Sequence, residues 1–209
     1  VNSILLKINN TFTADVGDME QQVDPDSDEA LMIRYCSGST AAFDSLYLRH
    51  KGGLYRFFLR QCGQKELAEE LFQDVWIKLI NARHHYEKTA KFTTYLYRIA
   101  HNRLIDHYRH MGSSQYALRV DGDNQAVVER SGDNNSATTL LEQMEVHQQI
   151  KVAIAELPFE QREAFLMQQE GHLSLNDIAE IAGTTRETIK SRLRYAMKKL
   201  REQLGEKAS

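Results

Sequence analysis

SLNDIAEIAGTTRETIKSRLRYAMKKL, residues 174–200, holds two helical patterns and one break. Ser174 is a natural helix start. Asp177 stands three residues on, where its carboxylate can bond back to the Ser174 amide. Leu175, Ile178, Ala179 and Ala182 share the inner face of this first helix. Gly183 ends it, and Thr184 caps the next, with Glu187 at the box position. Ile189, Leu193, Ala196 and Leu200 recur at spacings of 4, 3 and 4 and mark the buried side of that second helix. Two helices joined at one glycine, with the small Ala179 at their crossing, predict a helix-turn-helix. The second helix opens with Thr185 and Arg186, and its outward face carries Lys190, Ser191, Arg194, Tyr195 and Lys198. A plain solvated helix usually mixes both signs of charge. A helix this basic fits the major groove of duplex DNA, where Arg and Lys reach guanine O6 and N7.

Just upstream, Pro158 suits the first turn of a helix that runs to about Glu170, and Gly171 is placed to stop it. Further back, a helix is expected over about Glu66 to Arg83. Leu67, Leu71, Val75 and Leu79 recur every four residues, and Phe72 and Trp76 widen the apolar stripe. Glu66, Glu69, Glu70, Gln73 and Asp74 cluster on the other side, a face able to dock on a basic partner. A second helix spans about Phe92 to His110. Leu96, Ile99, Ala100 and Leu104 form its buried side, and Arg98, Asn102, Asp106 and Arg109 lie on another face. Tyr86, Phe92, Tyr95, Tyr97 and Tyr108 are interleaved with these cations. Rings for stacking beside positive charge for phosphates suit single-stranded nucleic acid.

The chain has 209 residues, 42% hydrophobic and 26% charged, with a formal net charge of -3. That small charge averages opposites. Residues 13–30 hold seven carboxylates and no lysine or arginine, whereas residues 184–201 hold seven cations against Glu187 alone. Such segregation points to an anionic partner. No run approaches the 18 or so apolar residues of a membrane span. Ile4, Leu5 and Leu6, interrupted by Lys7, are too short for a signal-peptide core, so a cytoplasmic location is expected. Cys36 and Cys62 form no CxxC pair and no metal set. Residues 1–28 read as a flexible acidic arm. Residues 111–139, rich in Gly, Ser, Asn and Asp, read as a linker, and 205–209 as a tail. The expected fold is all-α: two small helical domains, 29–110 and 140–204, joined by that flexible linker.

Three motifs in order carry a family resemblance. Residues 70–76, ELFQDVW, resemble the core-binding helix of bacterial sigma factors. Residues 92–109, FTTYLYRIAHNRLIDHYR, resemble their minus-ten promoter helix. Residues 157–165, LPFEQREAF, with the helix-turn-helix through Arg194, resemble their minus-thirty-five domain. Two domains with a linker and no middle domain are the layout of the extracytoplasmic-function sigma factors of RNA polymerase.

That resemblance implies site roles. Glu70, Gln73 and Asp74 match positions that dock on the β′ clamp of core polymerase, and the C-terminal domain would meet the β flap. The loop from His84 through His85 and Tyr86 to Lys91 matches the one that captures a flipped minus-ten base. Tyr95, Arg98, Asn102 and Arg109 fall on the melted-strand helix, with Tyr95 where the family often has Trp. Thr185, Arg186, Lys190, Ser191, Arg194, Tyr195 and Lys198 match the minus-thirty-five contacts. An anti-sigma partner, which could hold the chain at the inner membrane without inserting it, and a stress or envelope-response regulon are also implied. No cofactor and no catalytic step are.

Chain lengths suit these roles. A linker of 29 residues spans at most roughly 95 Å at about 3.3 Å per residue. Sites more than two turns of DNA apart are within its reach. His107 and His110 are three apart with Asp106 nearby, but a metal site needs three ligands in proper geometry, and phosphate contact or plain surface is the expected role. The rival reading is a stand-alone helix-turn-helix regulator on operator duplex. It has no use for the acidic stripe and the aromatic-basic helix of residues 66–110.

Overall fold

The computed structural model describes residues 26–86, 91–110, 146 and 148–205. Among them there are helices and no strand. The linker, the tail beyond Gly205 and the arm before Asp26 lie outside the described residues.

The N-terminal unit starts with α1, Asp28–Cys36, whose first turn is capped by the Ser27 hydroxyl accepting from the Ala30 amide at 3.3 Å. The run of 13–30 was expected to belong mostly to a free arm. Its last carboxylates instead serve the fold. Asp28 pairs with Arg49 at 3.0 Å and with His50 at 2.7 Å. The Glu29 carboxylate accepts from the Phe92 amide at 2.8 Å. Helix α2, Thr40–Cys62, packs between α1 and α3, Lys65–Ala82, which ends in a 3-10 turn at Arg83–His85. Leu71, Val75 and Leu79 are fully buried, as their spacing requires, while Leu67 stays half-buried. The aromatic stripe of α3 meets α2 edge-on, with Tyr47 and Trp76 centroids 4.9 Å apart at 65°. Helix α4, Phe92–His110, buries Phe92, Leu96, Ala100 and Leu104 in the same core.

The C-terminal unit comprises α5 (148–155), α6 (Phe159–Gly171), α7 (Leu175–Ile181) and α8 (Arg186–Gly205). The expected capping box is present. Ser174 Oγ accepts from the Asp177 amide at 3.2 Å, and Asp177 Oδ2 accepts from the Ser174 amide at 3.0 Å. Gly183 makes the turn at φ 60, a left-handed conformation that glycine adopts without steric cost. Ile189, Leu193, Ala196 and Leu200 are buried against α6 and α7.

Two expected helix ends differ. Thr185, not Thr184, caps α8, its hydroxyl accepting from the Thr188 amide at 3.2 Å, so Glu187 forms no box. Gly171 does not stop α6. It is the last helical residue, and His172 takes the left-handed position at φ 51. Glycine stands at 171 for packing, since a Cβ there would lie 2.9 Å from Tyr97 Cζ.

That contact belongs to a joint between the two units. The sequence predicts two helical domains joined by a linker, and says nothing of a contact between them. The described residues pack α6 on α2 and α7 on α4. At the centre, Gly53 of α2 admits the backbone of α6, where a Cβ would stand 2.6 Å from the Glu170 carbonyl oxygen. Tyr97 fills the seam, 2% exposed and edge-on to Phe57 at 5.4 Å.

Candidate nucleic-acid and polymerase interface

The outward face of α8 is open. Thr185, Arg186, Lys190, Arg194 and Lys198 are exposed, and Tyr195 is 53% exposed with the Arg194 guanidinium 5.1 Å from its ring centre. Ser191 is half-buried between them. The buried Ile189, Leu193, Ala196 and Leu200 hold these groups at the surface, so the face presented to a groove follows from the helix period alone.

On α3, Glu70 and Gln73 are exposed. Asp74 is not a free member of that stripe, because it forms an ion pair with Arg103 of α4. The exposed Ile77 and Ile80 continue the same surface one to two turns on, apolar positions that charge counting passed over.

The expected strand-binding helix divides in two. Asn102 and Arg109 are exposed. Tyr95 is half-buried and edge-on to Tyr86 at 5.3 Å, and burial pushes the Tyr86 hydroxyl up to about 12. Tyr97, grouped with the stacking rings in the sequence, is core. Its hydroxyl is buried without a partner, and burial with the nearby Glu170 charge raises it further. His84 is exposed; of the loop beyond Tyr86, residues 87–90 and the side chain of His85 lie outside the described residues. Both stems of this loop are tied to α1. The Cys36 thiol donates to the Arg83 carbonyl at 2.9 Å, and Glu29 holds the Phe92 amide. Burial pushes the thiols of both free cysteines up, Cys62 to about 12.

The first half of α4 is covered by the helix-turn-helix. Thr94, fully buried, donates to Asp177 Oδ1 at 3.1 Å, and Lys91 Nζ lies 3.8 Å from Asp177 Oδ2. Arg98 pairs with Glu180. Asp177 thus serves its own helix cap and the joint together. Burial alone would raise its carboxyl. Bonds from the Ser174 hydroxyl and amide, the Lys91 charge and the Thr94 hydroxyl hold it below the ordinary carboxylate value instead. Beyond α7, His101 Nδ1 meets Glu163 at 2.7 Å, and Arg56 and Arg60 of α2 both reach Glu170.

The model of sigma-70 region 2 matches residues 46–113, and that of sigma-70 region 4 matches residues 147–200. Together they take in most of α2, all of α3 and α4, and the whole helix-turn-helix. The chain is 29% identical over 178 residues to the RNA polymerase sigma factor CarQ of Myxococcus xanthus, covering 84% of this chain and 96% of that one. It is 26% identical to the ECF RNA polymerase sigma factor SigW of Bacillus subtilis, covering 80% and 91%. The chain belongs to the extracytoplasmic-function sigma factors. As a sigma factor it directs RNA polymerase to promoters. Its structure is similar to that of the sigma factor RpoE solved with the anti-sigma factor NepR from Bartonella quintana. The TM-score is 0.62 at 25% identity, over 78% of this chain and 96% of that one. The chain of CnrH solved with the cytosolic domain of CnrY shares the fold at TM-score 0.59 and 21% identity. No described helix of the sigma factor is long and apolar enough to cross a membrane.

Proposed function

We propose that this sigma factor reads a minus-thirty-five duplex with the outward face of α8 and a melted minus-ten strand with α4 and the loop before it. Lys190, Arg194 and Lys198 contact bases and phosphates of the duplex, Thr185 and Arg186 at the helix start fix its register, and Tyr195 and Ser191 fill between. Tyr86, Tyr95, Asn102 and Arg109 face the strand. Stacking at about 1–3 kcal/mol per base offsets the few kcal/mol of extruding each base. Glu70 and Gln73 dock on the polymerase clamp. The polymerase performs the chemistry, and this chain makes and breaks no bond. It acts in the cytoplasm on a stress or envelope-response regulon.

The observation that carries this reading is the cover over α4. While the joint is closed, Thr94 is buried under α7, and Lys91 and Arg98 are engaged by Asp177 and Glu180. The closed form is therefore a resting state, and the two units must part for promoter opening. An anti-sigma factor that prefers the closed form would keep the chain silent.

Run-off transcription with purified core polymerase tests the reading. The wild type should give start-specific transcripts from a panel of genomic promoters. Lys190→Ala with Arg194→Ala should lose upstream duplex binding, each base contact being worth about 1–3 kcal/mol. Asn102→Ala should keep that binding and lose permanganate reactivity of the opened bases. No specific transcript from any promoter would return the chain to the stand-alone regulator reading.

A further inference from the structure

Among the described residues, the ion pairs that cross the joint run one way. In Arg56–Glu170, Arg60–Glu170, Lys91–Asp177, Arg98–Glu180 and His101–Glu163 the cation stands on the N-terminal unit and the carboxylate on the C-terminal unit. Arg162 reaches back, and it binds a neutral group, the Gln61 carbonyl, at 3.0 Å. Two of these cations belong to the minus-ten helix. Arg56 and Arg60 do not. They stand one turn apart on α2, three and seven residues beyond the Gly53 that admits α6.

We propose that Arg56 and Arg60 extend the strand-binding surface of α4 onto α2. On this assignment the carboxylates of α6 and α7 occupy, in the closed form, the places that phosphates of the melted promoter strand take in the open form. The inference rests on the promoter-opening reading above.

The chemistry of exchange is favourable. A guanidinium fork donates to carboxylate and phosphate oxygens in the same geometry. Arg56, Arg60 and Arg98 keep 39%, 34% and 40% of their side-chain surface exposed, so the pairs are hydrated and replaceable rather than locked. Parting the units uncovers Arg56, Arg60, Lys91 and Arg98 together, with His101 beside them. Among the described residues, these groups pair with carboxylates of the C-terminal unit and with none of the N-terminal unit. A polyanion replaces several carboxylates at once and releases its own counterions. On this assignment one strand passes from α4 across to α2.

The test separates closure from binding. The full chain carrying Glu170→Gln and Glu180→Gln loses two of the covering carboxylates. Its affinity for a fluorescein-labelled oligo(dT) strand, read by anisotropy against salt, should rise severalfold over the wild type. Adding Arg56→Gln and Arg60→Gln to that background should reduce the salt slope by about 1.4, two contacts at ~0.7 each, and weaken binding about 25-fold at 0.1 M salt. Arg56→Lys with Arg60→Lys should restore the slope, and circular dichroism melts verify that each variant folds. An unchanged slope in the glutamine variant would confine Arg56 and Arg60 to the joint. An unchanged affinity in the Glu170→Gln, Glu180→Gln chain would show that the carboxylates do not cover a strand site. Run-off transcription by the wild type reports separately on the promoter reading.

Discussion

Gly171 lies flat against the Tyr97 ring, so close that a Cβ at 171 would stand within 3.2 Å of three ring carbons. The contact ties α6 to α4 at the centre of the joint. The helix ends there, and His172 follows in a conformation that a non-glycine residue takes at a cost of about 1–2 kcal/mol.

Gly171→Ala should therefore open the joint without unfolding either unit. Overpacking of this kind costs about 1–3 kcal/mol. Small-angle scattering should show a larger radius for the variant. His172→Gly should do the reverse, raising stability by about 1 kcal/mol in a urea titration because it relieves the left-handed strain. A compact Gly171→Ala chain would mean that the ring yields and the seam is not tight.

Charge reversal on α3 should separate docking from folding. Glu70→Lys with Gln73→Lys alters exposed groups, so core polymerase binding should fall by tenfold or more, about 1.4 kcal/mol, at constant urea midpoint. Asp74→Lys should in addition lower the midpoint, because it leaves Arg103 facing a like charge in a half-buried place. Wild-type polymerase affinity in the Glu70, Gln73 variant would remove this stripe from the docking surface.

Acid should part the units through Asp177. Its carboxyl is held below the ordinary value, so it contributes stability above about pH 3.9, its unfolded pKa, and loses it as pH falls through the lower folded one. Thr94→Val removes one of the bonds that hold it low and spares the helix cap. The acid limb of joint opening, followed by energy transfer between dyes on the two units, should move to higher pH in that variant. Coincident limbs would show that Asp177 is not the group on which the joint titrates.

The α8 face could be read from the sequence because one helix defines it. Ile189, Leu193, Ala196 and Leu200 set the inside, and Lys190, Arg194 and Lys198 must then be outside. The α3 core came from the same periodicity. The role of Asp74 did not, since its partner Arg103 is 29 residues away on another helix. Gly171 and Tyr97 were misjudged for a related reason. A glycine at a helix end and a tyrosine among cations each have a sufficient local explanation, and the packing that overrides it lies 74 residues off in the chain. Glu163 and Glu170 do share a face of α6, and Arg56 and Arg60 a face of α2, but nothing local says that these faces meet.

The one-way polarity of the joint has a consequence in time. Translation makes the cations before the carboxylates that cover them, Arg98 and Glu180 being 82 residues apart. At ~5–20 residues per second that separation lasts about 4–16 s. For that interval the cations of the N-terminal unit exist without the carboxylates that later cover them. The newborn chain passes through an unshielded state that the finished one closes off.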